Sequence, residues 1–520
     1  MRYLPEEILL MDKITKVYPN GFVANKDVTF SINKGEIHAL VGENGAGKTT
    51  LMKILFGIEQ PEEGRIVIKG KEVKINNPLE AIANGVGMVH QHFMLVPSLT
   101  VAENIVLGME PKKNGLFDFE AAVKLSQEAI DKYNLKVNPR AKVEDLPVGF
   151  KQKVEILKAL VRGADILILD EPTAVLTPQE TAELFVELKH LRDQGHTIVF
   201  ISHKLNEVKE LCDRLTVLRL GKSVGKAIVA DVTEQDISRM MVGRDVVLKV
   251  EKERAKPENV VLKVKDLDIV SDTGKKIVDH ISFSVRKGEI LGVAGVEGNG
   301  QSQISEAITG LLDYQAGTIS VNGTDIKGKK IRQIRELGVS HVSEDRMTYG
   351  VASNSGVKDN VISDRYYKKE YNKGLLLDTK KINDLSDELI KEFLIKCDDR
   401  DQAVRMLSGG NMQKVVVARE FSSDPHLVVA NQPTRGIDVG ATEFIRKRLV
   451  TLRDEGAAVL LISADLNEVL ELSDSLIVMN EGKIAAYIED ASTISDMELG
   501  EYMLGVKKQT PEEIARVAYD

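Results

Sequence analysis

An eight-residue glycine-rich segment, Gly42 to Thr49, carries the most chemically specific pattern in the sequence. It reads GENGAGKT, matches the form GxxxxGK(S/T), and stands between a strand-like apolar stretch and a helix-like one. Glycines allow backbone N–H groups to converge on phosphate oxygens, and the start of the following helix adds a partial positive charge. We therefore predict that Lys48 neutralises the β- and γ-phosphates of a nucleotide and that Thr49 offers its hydroxyl to Mg²⁺. The predicted nucleotide contacts in this loop are Gly42, Asn44, Gly45, Ala46, Gly47, Lys48, Thr49 and Thr50.

Two acidic residues follow the apolar run ILIL at 166–169. Asp170 ends this predicted strand, where a carboxylate can hold Mg²⁺ through its water shell. Glu171 is predicted to act as the general base that orients and deprotonates the attacking water. An acidic pair at a strand end also occurs as a simple solvent-exposed cap. The phosphate loop in the same half favours the catalytic interpretation.

Three further residues are predicted to complete the site. His203 follows the apolar run TIVFIS at 197–202 and is predicted to hydrogen-bond the γ-phosphate. Gln91 is predicted to contact Mg²⁺ or water and to sense the γ-phosphate, so that Thr49, Gln91 and Asp170 form the metal set. Tyr18 lies 24 residues before Gly42 and is predicted to stack on adenine. The alternatives are a structural histidine at a strand end and a tyrosine of the core or surface.

The surrounding pattern indicates the elements that hold these residues. GEIHALVG at 35–42 has the apolar content of a strand, and the residues behind the loop place apolar side chains at helical spacing. ADILILD at 164–170 is a short apolar run bounded by polar residues, which predicts a strand buried on both faces of a parallel sheet. Between Gln91 and Leu146 the pattern turns helical and predicts a helical subdomain. The fold class is therefore predicted to be α/β.

The chain contains an internal repeat. NKGEIHALVGENGAGKTT at 33–50 is echoed by RKGEILGVAGVEGNGQSQ at 286–303, whereas LDEPT at 169–173 aligns with ANQPT at 430–434. The offset between the halves grows from 253 to 261, so eight extra residues are expected between 345 and about 406, near RYYKKEYNKGLLLD. The two homologous halves, at 1–245 and 258–505, are each long enough to bury a core.

The repeat predicts a domain organisation. The first nucleotide-binding domain is expected at 1–245 and the second at 258–505. A charged segment at 246–257 has the composition of an exposed linker, with a continuing helix end as the alternative. The last segment, 506–520, is polar and is expected to form a loosely docked tail.

Composition limits the class of protein. The 520 residues include 70 basic and 79 acidic ones, a net charge of −9, which argues against a general nucleic-acid binder. The two cysteines, Cys212 and Cys397, cannot supply a disulfide framework or a four-cysteine zinc site. The N-terminus lacks the order of a secretion signal, and no apolar run reaches the length of a membrane helix. We expect an intracellular protein that serves a membrane, if at all, through a partner.

The segment LSGGNMQK at 407–414 completes a set of motifs. With the phosphate loop, Gln91, DEPT and ISH in that order, the chain resembles the nucleotide-binding domains of ABC transporters, whose signature is LSGGQ. A tandem pair without membrane helices is similar to the ATPase subunit of bacterial simple-sugar and nucleoside importers. The strings HQHFMLVPSLTVAENI, EPTAVLTPQE, SEDR and NQPTRGIDVGA most resemble the nucleoside branch.

The resemblance implies two tandem P-loop ATPase domains, each a parallel-sheet RecA-like core with an antiparallel β subdomain and a helical subdomain. It also implies that ATP is sandwiched, with Ser408, Gly409, Gly410 and Asp438 of the second half reaching the ATP bound at Lys48. The implied cofactors are ATP and Mg²⁺. The implied partners are membrane permease subunits, as a homodimer or heterodimer, and an extracytoplasmic substrate-binding protein. The chain is then peripheral, on the cytoplasmic side of the membrane.

The second half departs from the pattern at every catalytic position. The residues equivalent to Lys48, Asp170, Glu171, His203 and Gln91 are Gln301, Asn431, Gln432, Ala464 and Glu344. The first half instead has an abnormal signature, with Pro147 where serine belongs. Because sandwiching pairs each loop with the other half's signature, all these losses fall on one composite site. We predict one hydrolysing site per chain and a static second site, which keeps Ser302 and a glycine loop.

Other functions fit the sequence less well. Simple-sugar import is the main alternative to nucleoside import. A soluble tandem ATPase acting on ribosomes usually has a long helical charged linker and two competent sites, unlike this chain. A DNA-repair ATPase of the same superfamily is expected to bring cysteine-rich zinc modules, which two cysteines cannot supply. A non-catalytic scaffold is disfavoured because the first half retains every catalytic residue.

Overall fold

The computed structural model describes two compact units, Met1–Val246 and Val247–Asp520, which we treat separately. Residues 246–249 of the predicted linker and 519–520 of the predicted tail lie outside the described part of the chain. No helix of the described residues is long and apolar enough to cross a membrane. The described residues are 6–19, 21–91, 93–245, 250–271 and 274–518.

Unit 1 contains twelve strands and eight α-helices within its described residues. The strands are β1 (Glu7–Val17), β2 (Val23–Asn33), β3 (Ile37–Gly42), β4 (Glu63–Ile68), β5 (Lys71–Val73), β6 (Val86–Val89), β7 (Lys112–Lys113), β8 (Leu116–Phe117), β9 (Ile166–Asp170), β10 (Thr197–Ile201), β11 (Arg214–Arg219) and β12 (Lys222–Ile228). The helices are α1 (Lys48–Leu55), α2 (Pro78–Ala83), α3 (Val101–Val106), α4 (Phe119–Tyr133), α5 (Val148–Val161), α6 (Pro178–Asp193), α7 (Leu205–Leu211) and α8 (Glu234–Val242).

A six-stranded sheet in the order β12-β11-β3-β10-β9-β6 forms the centre of unit 1. All neighbours in it are parallel except β12, which pairs antiparallel with β11 at the edge. Every residue of β3, β9 and β10 is buried, as expected for strands covered on both faces. The carboxyl ends of these three strands lead directly to the phosphate loop, Glu171 and His203, which is where open α/β sheets bind ligands.

Two further layers flank this sheet. β2-β1-β4-β5 form an antiparallel sheet, whose apolar face packs with α1 and the central strands into one core. Helices α3, α4 and α5 contact one another and form the helical part between Gln91 and β9. The predicted combination of a parallel core, an antiparallel β subdomain and a helical subdomain is confirmed in unit 1.

Unit 2 repeats these elements. Its strands are β13 (Val260–Val270), β14 (Lys276–Arg286), β15 (Ile290–Gly295), β16 (Ala316–Val321), β17 (Thr324–Asp325), β18 (Val339–Val342), β19 (Asn372–Lys373), β20 (Leu376–Leu377), β21 (Leu427–Asn431), β22 (Ala458–Ile462), β23 (Ser475–Asn480) and β24 (Lys483–Ile488). Its helices are α9 (Gln301–Thr309), α10 (Ile331–Arg335), α11 (Val357–Ile362), α12 (Thr379–Glu392), α13 (Gly409–Phe421), α14 (Val439–Asp454), α15 (Leu466–Leu472), α16 (Asp496–Met503) and α17 (Pro511–Ala515).

The sheets of unit 2 have the same topology as those of unit 1. The six-stranded sheet runs β18-β21-β22-β15-β23-β24, and the antiparallel sheet runs β14-β13-β16-β17. Only the β23–β24 pair of the six-stranded sheet is antiparallel. The predicted fold class is therefore confirmed in both units, and the different residue types at the predicted catalytic positions of unit 2 have not altered its architecture.

The extra residues of the second half lie in three places rather than one. The offset between equivalent elements is 253 from β3 to β15, 256 from α3 to α11 and 260 from β7 to β19. It reaches 261 at the short helical turn Val404–Met406, which corresponds to Val143–Asp145. The first increment coincides with a π-helical turn, Arg346–Gly350. The prediction of a single insertion near RYYKKEYNKGLLLD is wrong, because that segment accounts for only the second increment.

The linker and the tail are also anchored more firmly than predicted. Val250 is buried in the helical-side core of unit 2, and Lys252 Nζ donates to the carbonyls of Leu472 and Ser473 at 2.8 and 2.6 Å. In the tail, Val517 is fully buried, and Ser284 Oγ donates to the Ala518 carbonyl at 2.6 Å. The tail is therefore packed against unit 2 rather than loosely docked. In the described part of the linker, from 250 to 257, the exposed residues are Glu251, Glu253, Arg254 and Lys256.

Candidate active site

The phosphate loop of unit 1 connects β3 to α1. Gly45 and Gly47 both have positive φ, at 80° and 97°. A Cβ on Gly47 would lie 2.4 Å from the Ala24 carbonyl oxygen, so this position accepts only glycine. The loop residues predicted from the sequence therefore adopt a backbone that is set by glycine and that leads into a helix N-terminus.

Lys48 is the first residue of α1 and is buried. Its Nζ donates to the carbonyls of Gly42 at 2.7 Å and Glu43 at 3.1 Å, so the ammonium group lies against the loop itself. Burial lowers the pKa of Lys48, and the negative charges of Glu171 and Asp170 oppose this shift. A phosphate group bound in the loop would offer this desolvated ammonium a stronger partner than two neutral carbonyls.

Asp170 is buried at the end of β9, where its carboxylate accepts a hydrogen bond from Thr49. Burial, and next the charge of Glu171, raise the pKa of Asp170 to about 6. A cation bound beside Asp170 would stabilise the ionised carboxylate and lower this pKa. The Thr49 hydroxyl, the Asp170 carboxylate and the amide oxygen of nearby Gln91 are ligands of the hard type that Mg²⁺ prefers, so the residues fit the metal.

Glu171 contacts two other predicted site residues, which come from separate parts of the sequence. Gln91 Nε2 donates to Glu171 Oε2 at 3.1 Å, and a hydrogen bond of 3.0 Å joins His203 Nδ1 to Glu171 Oε1. Glu171 has a φ of 48°, and its backbone N–H donates to the Ile201 carbonyl at 3.0 Å. A non-glycine residue in this left-handed region is strained, and such strain concentrates at functional sites.

Opposing effects act on the pKa of Glu171. Burial raises it, but the hydrogen bond from His203 and the charges of His203 and Lys48 outweigh burial, so the pKa lies below its ordinary value. The carboxylate is therefore ionised at neutral pH, which is the state that a proton acceptor requires. Its two oxygens are each oriented by one neighbour.

Tyr18 lies beside the same helix N-terminus. Its hydroxyl is 3.4 Å from Thr50 Oγ1, and Lys16 Nζ is 5.6 Å from the centre of the ring. The ring is thus close to the phosphate loop and half-buried. Its stacking on adenine stays a prediction, and the Thr50 contact ties both residues to one edge of the site.

The equivalent loop of unit 2 keeps the backbone and loses the charges. Gly298 and Gly300 have φ values of 93° and 100°, and Gln301 Nε2 donates to the Val296 carbonyl at 3.2 Å, much as Lys48 does in unit 1. Gln432 has a φ of 52°, and its Oε1 accepts from the Ala464 N–H at 3.1 Å. The geometry for phosphate binding is retained, but no carboxylate stands where a general base would act.

The two signature segments begin helices in different ways. Ser408 precedes α13, and its hydroxyl accepts from the Asn411 backbone N–H at 3.4 Å and from Asn411 Nδ2 at 2.9 Å. A Cβ on Gly410 would lie 2.3 Å from Asp438 Oδ2, so this glycine allows the close approach of Asp438. Pro147 precedes α5 and provides no side-chain cap.

Asp438 has a structural role that the sequence analysis missed. It precedes α14, and its carboxylate accepts from the Ala441 N–H at 2.8 Å. The equivalent Thr177 precedes α6 and accepts from the Glu180 N–H at 3.3 Å. Both residues are helix N-caps, and the available signal was a cap-forming residue just before a helical pattern. The N-cap role of Asp438 therefore does not depend on any nucleotide contact.

The sequence model of the ABC transporter family matches residues 25–174 and 278–435, one match in each unit. The chain therefore belongs to the ABC transporter family, and it is an ATP-binding ATPase of that family. It is similar to the nucleoside import ATP-binding protein NupA of Lactococcus lactis subsp. cremoris, with 46% identity over 96% of this chain and 98% of that protein. It is also similar to the guanosine import ATP-binding protein NupO of Bacillus subtilis, with the same identity and coverage.

The chain is also similar to a glucose import protein and to a solved structure. The glucose import ATP-binding protein TsgD13 of Haloferax volcanii is 43% identical over 92% of both chains. The crystal structure of the archaeal ribosome recycling factor aABCE1 with the ribosomal stalk protein aP1 matches 90% of this chain and 87% of that one. Its TM-score is 0.58 and its identity is 19%, so this likeness concerns the fold alone.

Proposed function

We propose that the chain is the ATP-hydrolysing subunit of a bacterial ABC importer and that the imported substrates are nucleosides. The proposal of ATP hydrolysis rests on the contacts of Glu171 with Gln91 and His203, at 3.1 and 3.0 Å. The observation that favours nucleosides is the identity of 46% to NupA and NupO, which are named for nucleoside and guanosine import.

In this proposal each predicted site residue of unit 1 has its own role in ATP binding or hydrolysis. Lys48 exchanges its two carbonyl partners for the β- and γ-phosphates of ATP. Thr49, Gln91 and Asp170 would hold Mg²⁺, which would neutralise phosphate charge when bound. Glu171 accepts the proton of the attacking water, while Gln91 and His203 orient its two oxygens. The remaining predicted contacts are made by the loop backbone from Gly42 to Thr50 and by Tyr18 at the adenine.

We propose one hydrolysing site per chain. Three of the five catalytic positions in unit 2 carry Gln301, Gln432 and Ala464, which supply neither the charge of Lys48, nor the proton acceptor of Glu171, nor the imidazole of His203. From the family resemblance we further propose that Ser408, Gly409 and Gly410 contact the ATP held at Lys48. The exposed position of Ser408 at the start of α13 supports this contact. For Asp438, the family resemblance is the sole support for a contact with ATP.

We propose that the chain binds the cytoplasmic side of a membrane through permease subunits, which receive their substrate from an extracytoplasmic binding protein. Docking is proposed at the segment after Gln91 in unit 1 and after Glu344 in unit 2. Exposed apolar side chains support this, because water-facing methionine and tyrosine residues are typical of contact surfaces. These side chains are Met94, Leu107 and Met109 in unit 1 and Met347, Tyr349 and Tyr366 in unit 2.

The proposed domain boundaries follow the two compact units of the chain. The division into Met1–Val246 and Val247–Asp520 supports a join near 246, and the anchored linker and tail belong with the second unit. We propose nucleotide-binding domains at 1–245 and 258–505, with 246–257 as the connecting segment and 506–520 as a packed C-terminal extension.

Uptake measurements with the cognate permease and binding protein test the substrate class. We expect nucleoside uptake that requires the wild-type chain and is lost in Lys48→Ala, because the ammonium that contacts the phosphates is removed. Glucose and ribose serve as competing substrates. Uptake of a sugar alone would favour the alternative suggested by TsgD13, and ATP hydrolysis stimulated by ribosomes but not by the permease would overturn the import proposal.

A further inference from the structure

The β19–β20 hairpin of unit 2 exposes three consecutive leucines. Its strands pair antiparallel, with Lys373 opposite Leu376, and the turn between them consists of Gly374 and Leu375. Leu375 is fully exposed, and Leu376 and Leu377 are 75% and 47% exposed. Burial of a leucine away from water is favourable, and clustered apolar side chains on a surface mark a contact with a protein or a membrane. The hairpin tip is therefore a candidate contact surface.

Lysines lie on both sides of this hairpin. Segment 363–381 contains six basic and three acidic residues, a net charge of +3, whereas the whole chain carries −9. Lys368 and Lys369 precede the hairpin and Lys380 follows it, and all three are exposed. No ion pair among the described residues involves these three ammonium groups. They are therefore available to an anionic partner.

The equivalent hairpin of unit 1, β7–β8, shares the apolar side chains but not the charge. Leu116 and Phe117 are 75% and 42% exposed. The equivalent segment, 107–121, contains two lysines and three acidic residues, a net charge of −1. Unit 2 also has nine residues between α11 and β19, where unit 1 has five between α3 and β7. The longer connection contains Lys368 and Lys369, and the shorter one contains no basic residue.

An apolar tip between lysines fits the surface of a membrane that contains anionic lipids. Leucine side chains enter the boundary between headgroups and acyl chains, while lysine ammonium groups stay among the headgroup phosphates. Each lysine near such a surface contributes roughly fivefold to binding, and salt screens the attraction. A protein partner would have to supply a pocket for three leucines on a projecting tip, whereas a lipid surface needs none.

We propose that the β19–β20 hairpin of unit 2 and its flanking lysines bind the surface of an anionic membrane directly. This contact goes beyond the proposed function, in which permease subunits hold the chain at the membrane, because it needs no second protein. The two attachments would reinforce each other, since a chain held by the permease presents the hairpin to the lipid at a high effective concentration. The hairpin of unit 1, in a segment of net charge −1, is not expected to bind lipid.

Flotation of the purified full-length chain with lipid vesicles, in the absence of the permease, tests the proposal. Vesicles of phosphatidylglycerol and phosphatidylcholine in equal parts are compared with vesicles of phosphatidylcholine alone. We expect binding to the anionic vesicles that decreases with added salt, and little binding to the neutral ones. Leu375→Ser combined with Leu376→Ser should weaken the binding by ~10-fold. Lys368→Glu combined with Lys369→Glu should weaken it by at least ~10-fold.

Leu116→Ser combined with Phe117→Ser is the matched control, because it also removes two exposed apolar side chains from a hairpin. We expect this variant to bind the anionic vesicles as the wild type does. Circular dichroism confirms that each variant is folded.

Three results would overturn the inference. The first is the absence of binding to anionic vesicles, and the second is an equal loss of binding in the leucine variants of the two hairpins. The third is binding that occurs only on vesicles that contain the permease, which would identify a protein partner instead. Nucleoside uptake is measured separately. Its absence contradicts the proposed function and leaves the vesicle result valid, whereas a chain that imports nucleosides but does not bind vesicles contradicts only the lipid contact.

Discussion

Glu171 and Gln432 occupy the same strained backbone position in the two units, with φ values of 48° and 52°. Each backbone N–H donates to the last residue of the neighbouring strand, Ile201 at 3.0 Å and Ile462 at 2.7 Å. The fold thus presents both side chains in the same way, and only their chemistry differs. An amide cannot accept the proton that a carboxylate accepts, which supports our proposal that hydrolysis takes place in unit 1.

Gln432→Ala should leave most ATP hydrolysis intact. The side chain accepts one hydrogen bond, from the Ala464 N–H, so its removal is expected to cost only ~1 kcal/mol of stability. Steady-state ATPase activity and nucleotide binding are the measurements. Loss of turnover with binding retained would mean that unit 2 takes part in the chemical step.

His203→Ala should move the acidic limb of the pH–rate profile to higher pH. The hydrogen bond from His203 lowers the pKa of Glu171, so its removal lets burial raise that pKa. A raised pKa means that the base becomes protonated, and activity is lost, at a higher pH than in the wild type. His190→Ala is the control, because His190 is exposed on α6. An unshifted profile with a lower maximum would contradict this coupling.

Gly47→Ala should abolish nucleotide binding and destabilise unit 1. The new Cβ meets the Ala24 carbonyl oxygen at 2.4 Å at a φ of 97°, and strain of this type costs ~1–3 kcal/mol or more. Gly35→Ala separates the two causes, since Gly35 has a φ of 68° but open space around its Cβ. Thermal unfolding and analogue binding give the readouts. We expect Gly35→Ala to lose some stability and keep nucleotide binding, and equal behaviour of the two variants would contradict the steric argument.

Unit 2 should lose stability in acid through Glu420. This buried carboxylate accepts from Arg419 and Arg335 at 2.8 Å each. Burial raises its pKa, but the two arginines outweigh burial and lower it to about 2 from 4.5. Its stabilising contribution is therefore complete above pH 4.5 and is lost as the pH falls toward 2.

Glu420→Gln provides the measurement for this effect. At neutral pH the substitution should cost ~3–5 kcal/mol, because it leaves the buried Arg419 without its charge partner and Arg335 with Asp364 alone. The difference from wild type should shrink between pH 5 and pH 3 in denaturant titrations of the full chain. Glu392→Gln, which breaks an exposed pair with Arg448, should cost at most ~1 kcal/mol and show little pH dependence. A pH-independent difference for Glu420→Gln would contradict the assigned pKa.

Local sequence patterns predicted the fold and which candidate residues of unit 1 lie together, because each depends on residues close to a recognisable element. The meeting of Gln91, Glu171 and His203 follows from the strand ends that carry them. The packing of Val517 was not predictable, since one apolar residue in a polar tail carries no periodic signal. In unit 2, Glu344 accepts a hydrogen bond from Ser302 and forms an ion pair with Arg435. These contacts could not be predicted, because they join three distant segments and an alignment of the two halves shows only which residues changed.

The ATPase activity of Glu171→Gln in the chain assembled with its permease tests the central claim most directly. We predict that hydrolysis falls by ~10²–10⁴-fold, as expected for loss of a general base, while binding of an ATP analogue is retained. Hydrolysis at the wild-type rate would remove Glu171 from the mechanism. Hydrolysis at half that rate would place a second active site in the complex and contradict the one-site account.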